Sequence, residues 1–161
     1  MIKLNTRGMD KVLNNFLTDI GFSAIKVRFD TDFAYEYDND IICYTIIVSE
    51  RMDRLFYNNM LKRGLGIDCG VFVASFLHEV GHVATLPTID EEEMDYILDT
   101  KENINPDSDD DVELYFNLKD EYLATEWAIN YINTHIEEIK KLISDFQNEM
   151  RKFCKKYEIE Y

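Results

Sequence analysis

Five consecutive residues, His78-Glu79-Val80-Gly81-His82, carry the pattern HExxH near the end of an apolar run from Val71 to Leu86. On a helix, residues four apart stand one above the other, so the two imidazoles project from one face and can grip a single ion. Two neutral imidazoles and a third protein ligand suit zinc, which keeps a fourth position for a water whose pKa falls to roughly 7. Glu79 is placed to take a proton from such a water. The pattern has this meaning only on a helix, because on a loop the two rings would not aim at one point. The plain alternative is a core helix with two satisfied histidines. That alternative leaves two imidazoles and a carboxylate among Val73, Phe76, Leu77, Val80 and Val83, where polar groups without partners are costly. Ala74, Ser75 and Gly81 are small and leave room for a second element to approach the histidines.

The third ligand has to come from elsewhere in the chain. No His follows the motif closely, the next residues being Val83-Ala-Thr-Leu-Pro-Thr. A later segment, Lys119-Asp-Glu121-Tyr-Leu-Ala-Thr-Glu126-Trp-Ala-Ile, offers two carboxylates. On one helix, residues five apart differ by about 140° of rotation, so both cannot face one ion. Glu121 shares its face with the small residues Ala124, Thr125 and Ala128, which would let its helix press against Gly81 and the histidines. Glu126 shares its face with Tyr122, Ile129 and Asn130. Glu121 is therefore the expected third ligand, with Glu126 as the alternative.

The pairing of HEVGH with Glu121-Tyr-x-Ala-x-x-Trp127-Ala resembles the gluzincin group of zinc peptidases. The likeness is greatest to the small minigluzincin and ImmA/IrrE-type proteins of phages, mobile elements and bacteria, and it extends more distantly to the HtpX-type membrane peptidases. It covers about Ala74 to Ile132 and implies that zinc is held by His78, His82 and Glu121. It also implies a zincin-like α+β fold: a small mixed three-stranded sheet packed on the central motif helix, with a C-terminal helical pair. An edge strand of that sheet would hold an extended peptide by strand addition. Two positions depart from the family pattern. Thr125 stands where an Asp or Asn commonly supports a zinc-bound His, and Leu123 replaces a frequently acidic position, which implies weaker support around the ligands.

The rest of the chain sets bounds on these readings. With 161 residues, 46% of them apolar and 13% aromatic, a single domain over 1–161 with a core that needs no disulfide is expected. No apolar run reaches the ~18 residues of a membrane span and no signal-peptide pattern opens the chain, so the expected location is the cytoplasm. Cys43, Cys69 and Cys154 are an odd, scattered set that reads as reduced core thiols. The net charge of −15 argues against nucleic acid or an anionic membrane as partner. Twelve of the 32 acidic residues fall between Asp90 and Glu113, against one Lys. A solvated face is the expected explanation, and binding of a basic protein in the manner of a DNA mimic is the alternative.

Periodicity supplies the elements. Met9, Val12, Leu13, Phe16, Leu17 and Ile20 predict an amphipathic helix stopped by Gly21. Ser23 to Phe29, Phe33 to Tyr37 and Ile41 to Val48 predict three strands in a meander, with turn clusters at Asp30–Asp32 and Asp38–Asp40. Met52, Leu55, Phe56 and Met60 predict a helix closed by Gly64, after which Asp68 would cap the motif helix and Pro87 would stop it. A capping box at Thr88-Ile-Asp-Glu91 would start a short acidic helix to about Asp99. Asn103 to Asp111 reads as loop, and the chain reads as helical from about Val112. A break near Asn133 to His135, with a second capping box at Thr134 to Glu137, would release a final helix. That helix would fold back on the domain or form a homodimer seam.

The function expected from these readings is hydrolysis of a peptide bond in a protein or peptide substrate. Glu79 would deprotonate the zinc-bound water and return the proton to the leaving amine. Tyr115 and Tyr122 are possible donors to the oxyanion, and His135 reads as an ordinary residue beside a cap. The alternative is an acidic interaction protein of zincin-like fold that binds a repressor or host factor without turnover.

Overall fold

The computed structural model of the protein describes residues 3–47 and 52–160. Along these residues run α1 (Arg7–Asp19), β1 (Lys26–Phe29), β2 (Ala34–Glu36), β3 (Ile41–Tyr44), α2 (Met52–Lys62), α3 (Val71–Thr85), α4 (Glu91–Glu102), α5 (Asp109–Asn117), α6 (Lys119–Thr134) and α7 (Ile136–Tyr157). The arrangement is α+β, with seven helices and one small mixed sheet among the described residues. None of these helices is long and apolar enough to cross a membrane. Contacts divide the chain into two compact units, Met1–Val48 with His135–Tyr161 and Ser49–Thr134, and each is described by itself.

In the first unit Met9, Leu13, Phe16 and Leu17 form the buried stripe of α1. Gly21 follows at φ 94°, a left-handed turn that a residue without Cβ takes readily. The sheet order is β1-β3-β2. β1 runs parallel to β3 with Lys26 opposite Ile41, and β2 runs antiparallel to it with Ala34 opposite Cys43. The strands therefore do not form the predicted meander; the mixed sheet implied by the family resemblance is the arrangement present. The reason lies in side-chain polarity. Ile42, Cys43 and Tyr44 are buried, so the strand that is apolar on both faces takes the centre. The strands bearing Lys26, Arg28 and Glu36 take the edges, where charges stay in water. β3 ends at Tyr44, and the remainder of its predicted span runs to Val48, which lies outside the described residues.

The final helix folds back on its own unit. Ile139, Leu142, Phe146, Phe153 and Cys154 are its buried stripe, and α7 packs against α1. The Phe146 ring meets Tyr44 at 6.1 Å and the Phe153 ring meets Phe29 at 5.6 Å. The break before α7 falls at His135 as predicted. The Thr134 hydroxyl donates to the Asn130 carbonyl at 2.7 Å, and His135 occupies the cap with no side-chain bond to the helix end.

In the second unit α3 is apolar nearly all round, and every residue from Val73 to Gly81 is buried, which makes it the central helix. Its N-cap is Gly70 at φ 84°, not Asp68. Asp68 acts one step earlier, where its Oδ1 accepts from the Gly70 N–H at 3.3 Å and from the Tyr57 hydroxyl. Pro87 lies in a short 3-10 turn, Leu86–Thr88, that ends the helix. That turn holds Thr88, whose hydroxyl donates to the Thr85 carbonyl. Asp90 caps α4 in its place, accepting from the Glu93 N–H at 2.8 Å. The helix predicted to run on from Val112 is two helices, α5 and α6. Leu118, with ψ 142° and a buried side chain, breaks them, and its carbonyl accepts from the Tyr122 N–H to start α6. The three cysteines are free and buried.

Tyr44 ties the sheet to α1, because its side chain is fully buried and its hydroxyl donates to Asp10 Oδ1 at 2.5 Å. Hydrogen bonds to charged acceptors contribute about 1.5–3 kcal/mol, and Asp10 is partly hydrated. Tyr44→Phe should therefore lower the unfolding free energy by about 1.5 kcal/mol. Urea titration of both proteins checks this, and equal midpoints would show that the bond adds nothing.

Candidate metal site

The site is built where α3 meets α6, the most extensive helix contact of the second unit. Gly81 makes it possible. A Cβ at this position would strike the Ala124 carbonyl oxygen and lie 2.9 Å from the Ala124 carbonyl carbon and Cα. Ala124, Thr125 and Ala128 present the buried face of α6, together with Glu121, as their small size predicts. His78 and His82 stand one turn apart on α3. His78 Nε2 lies 2.7 Å from Glu121 Oε2, and His82 Nε2 lies 3.3 Å from the same oxygen. The three ligand-capable atoms fall within 4.8 Å of one another, and all three side chains are nearly buried.

The surroundings fix each ring. The Thr125 hydroxyl is 3.0 Å from His78 Nδ1. The Phe56 ring stands edge-on to His78 at 4.6 Å. The 2.7 Å separation of His78 Nε2 and Glu121 Oε2 is that of a hydrogen bond. The donor set of two imidazoles and one carboxylate, buried and converging, fits a divalent ion. A buried His78, His82, Glu121 group that could hold a metal ion is therefore present.

The electrostatics follow from burial and charge. Burial raises the pKa of Glu79, and the nearby histidines offset this only in part. Burial opposes the charged form of His82, but the hydrogen bond and charge of Glu121 outweigh it, and the pKa is raised. Burial would also raise Glu121, yet the hydrogen bonds and charges of His78 and His82 hold its carboxyl well below the usual range. On the far side of Glu121, Oε1 accepts from Lys101 Nζ at 2.8 Å and from the Tyr115 hydroxyl at 2.9 Å.

The remaining sequence candidates lie elsewhere. Glu126 is exposed and shares an open groove with Arg63, Tyr122, Ile129 and Asn130. Tyr122 lies under the Arg63 guanidinium at 3.8 Å, on the face of α6 away from Glu121. His135 belongs to the start of α7. Of the proposed oxyanion donors, Tyr115 alone reaches the site, where its hydroxyl is committed to Glu121. Sequence reasoning passes over Lys101, Asp120 and Phe56. A signal exists for the first, since Lys101 is the single base within a run of twelve acids.

Two outcomes test this geometry. Gly81→Ala should cost about 1–3 kcal/mol or more, because backbone rather than a flexible side chain receives the new methyl, and it should weaken metal binding by parting α3 from α6. Thermal unfolding and metal titration of that variant check both effects. In parallel titrations, Glu121→Ala should lose metal binding while Glu126→Ala retains it. The reverse pattern would mean that α6 is rotated from the orientation described.

No known protein family, no curated protein and no solved structure matches the chain.

Proposed function

We propose that the chain is a cytoplasmic zinc-dependent peptidase of gluzincin type that hydrolyses a peptide bond in a protein or peptide substrate. The observation that carries this reading is the convergence of His78, His82 and Glu121 within 4.8 Å, with the buried carboxyl of Glu79 on the same helix. Nitrogen, nitrogen and oxygen donors suit zinc. Zinc held by these three residues would supply Lewis acidity to polarise the scissile carbonyl and activate water near neutral pH.

The chain's own groups do the rest. Glu79 accepts a proton from the attacking water as the new C–O bond forms, and it delivers that proton to the amine nitrogen as the C–N bond breaks. Thr125 and Phe56 hold the His78 ring in place, and support of this kind around a ligand commonly sets metal affinity. The apolar body of α3 keeps water from the inner side of the site. Buried thiols without a disulfide accord with a reducing compartment.

A second reading, an acidic zincin-fold protein that binds a partner without turnover, draws on charge. The unit holding the site carries nineteen acidic residues against six basic ones. Glu79→Gln separates the two readings. The amide cannot take the proton, so the variant should keep fold and zinc stoichiometry while cleavage of a library-identified peptide falls about 10²–10⁴-fold. Near-normal cleavage by that variant would remove Glu79 from the mechanism, and an undiminished biological effect without cleavage would favour binding.

A further inference from the structure

The two oxygens of Glu121 have different surroundings. Oε2 faces His78 and His82, whereas Oε1 accepts hydrogen bonds from Lys101 and Tyr115. Lys101 comes from the last turn of α4, a helix otherwise rich in acids. Its ammonium also donates to Asp120 Oδ2 at 2.6 Å and lies 5.1 Å from the centre of the Tyr115 ring. Three quarters of the side chain is buried. Ordering a lysine side chain costs rotamer entropy, and withdrawing its ammonium from water costs more. A lysine placed merely to keep α4 soluble would point outward. This one is turned in, with two carboxylates as partners.

We propose that Lys101 is a positioning residue for the metal centre: with Tyr115 it holds Glu121 Oε1, so that Glu121 offers a single oxygen, Oε2, to an ion shared with His78 and His82. The inference rests on the metal-binding reading above and adds to it the denticity of the third ligand. A carboxylate free to turn can present both oxygens and fill an additional coordination position. One whose second oxygen is held by two donors cannot, and the centre keeps an open position. The clamp spans α4, α5 and α6, so it also ties the acidic helix to the ligand helix.

Charge alone predicts the opposite outcome for loss of Lys101, because an ammonium beside a cation site repels the cation. The test therefore uses the charge-balanced pair Lys101→Met with Asp120→Asn, which removes one positive and one negative group together. Zinc and cobalt(II) affinities are measured by chelator competition on the wild type, this double variant, Lys101→Arg and Tyr115→Phe. Circular dichroism reports the fold, and the visible bands of the cobalt form report coordination number. The double variant should bind about 10–100-fold more weakly with altered cobalt bands. Tyr115→Phe should move the same way to a smaller degree, and Lys101→Arg should restore wild-type behaviour. A lysine that only anchors α4 would lower the melting temperature and leave the cobalt spectrum unchanged. A folded double variant with wild-type affinity and spectrum overturns the inference. Should that variant not fold, Tyr115→Phe decides by the same two readouts. A wild type that binds neither metal overturns the metal reading itself, an outcome distinct from equal binding by wild type and variant.

Discussion

The contact between the backbone of α6 and the bare Cα of Gly81 sets the register on which the site depends. His78 lies three residues before Gly81 and His82 one after it. Glu121 lies three before Ala124 and Thr125 one after it. Seating Ala124 on Gly81 therefore brings Glu121 to both imidazoles and Thr125 to the outer nitrogen of the first. One packing decision thus fixes the ligand set and the support of His78 together. Side chains as short as those of Thr and Glu reach the histidines only because neither helix has bulk at the crossing, in keeping with the small residues that let helices approach closely in other settings. The HExxH spacing aims the rings, but the third donor arrives through the absence of a methyl group.

What could be read in the sequence follows from how local each signal is. The ends of α1 and α2, the burial of α3 and the inward face of α6 rest on apolar periodicity and glycine turns, and the chain states these within a few residues. The break at His135 was accessible from length alone. The break at Leu118 was not, because Leu fits a helix and only its burial, a tertiary gain, makes one extended residue worthwhile there. The order of the strands was hidden for a similar reason. Turn clusters locate reversals without saying on which side of a neighbour the next strand lies, although the two-faced apolarity of Ile41 to Tyr44 marked the central one. Caps were misplaced where two acceptors compete: Pro87 draws Thr88 into a 3-10 turn and leaves the cap of α4 to Asp90, and Gly70 takes a left-handed cap that Asp68 would strain to adopt.

Lys101 was out of reach by another route. Sequence reading weighs a charged residue by its neighbours along the chain, and those neighbours are acids on an exposed helix. The partners that matter, Asp120 and Glu121, are nineteen and twenty residues away. Thr125 shows the converse. Its side chain is short and carries no charge, yet its hydroxyl meets His78 Nδ1 at 3.0 Å because the helices are this close at Gly81.

The acidic run from Asp90 to Glu113 has a local account that needs no partner. Asp90 is the cap of α4 and Glu91, Glu92 and Glu93 form its first turn; Asp109, Asp110 and Asp111 form the first turn of α5 behind the Ser108 cap. Seven of the twelve acids thus stand at the positive ends of two successive helices, where each is favourable by about 0.3–1 kcal/mol at a solvated surface. The remaining five are scattered and solvent-facing or nearly so. Lys101 completes the same logic at the negative end of α4, where a cation is favourable, but there the side chain turns toward Glu121 instead of water. The helix with the densest negative charge is in this way fastened to the ligand helix by its own single base. Glu93 adds a second tie by pairing with Lys119 at the start of α6 at 2.6 Å, while the other acids of α4 face solvent.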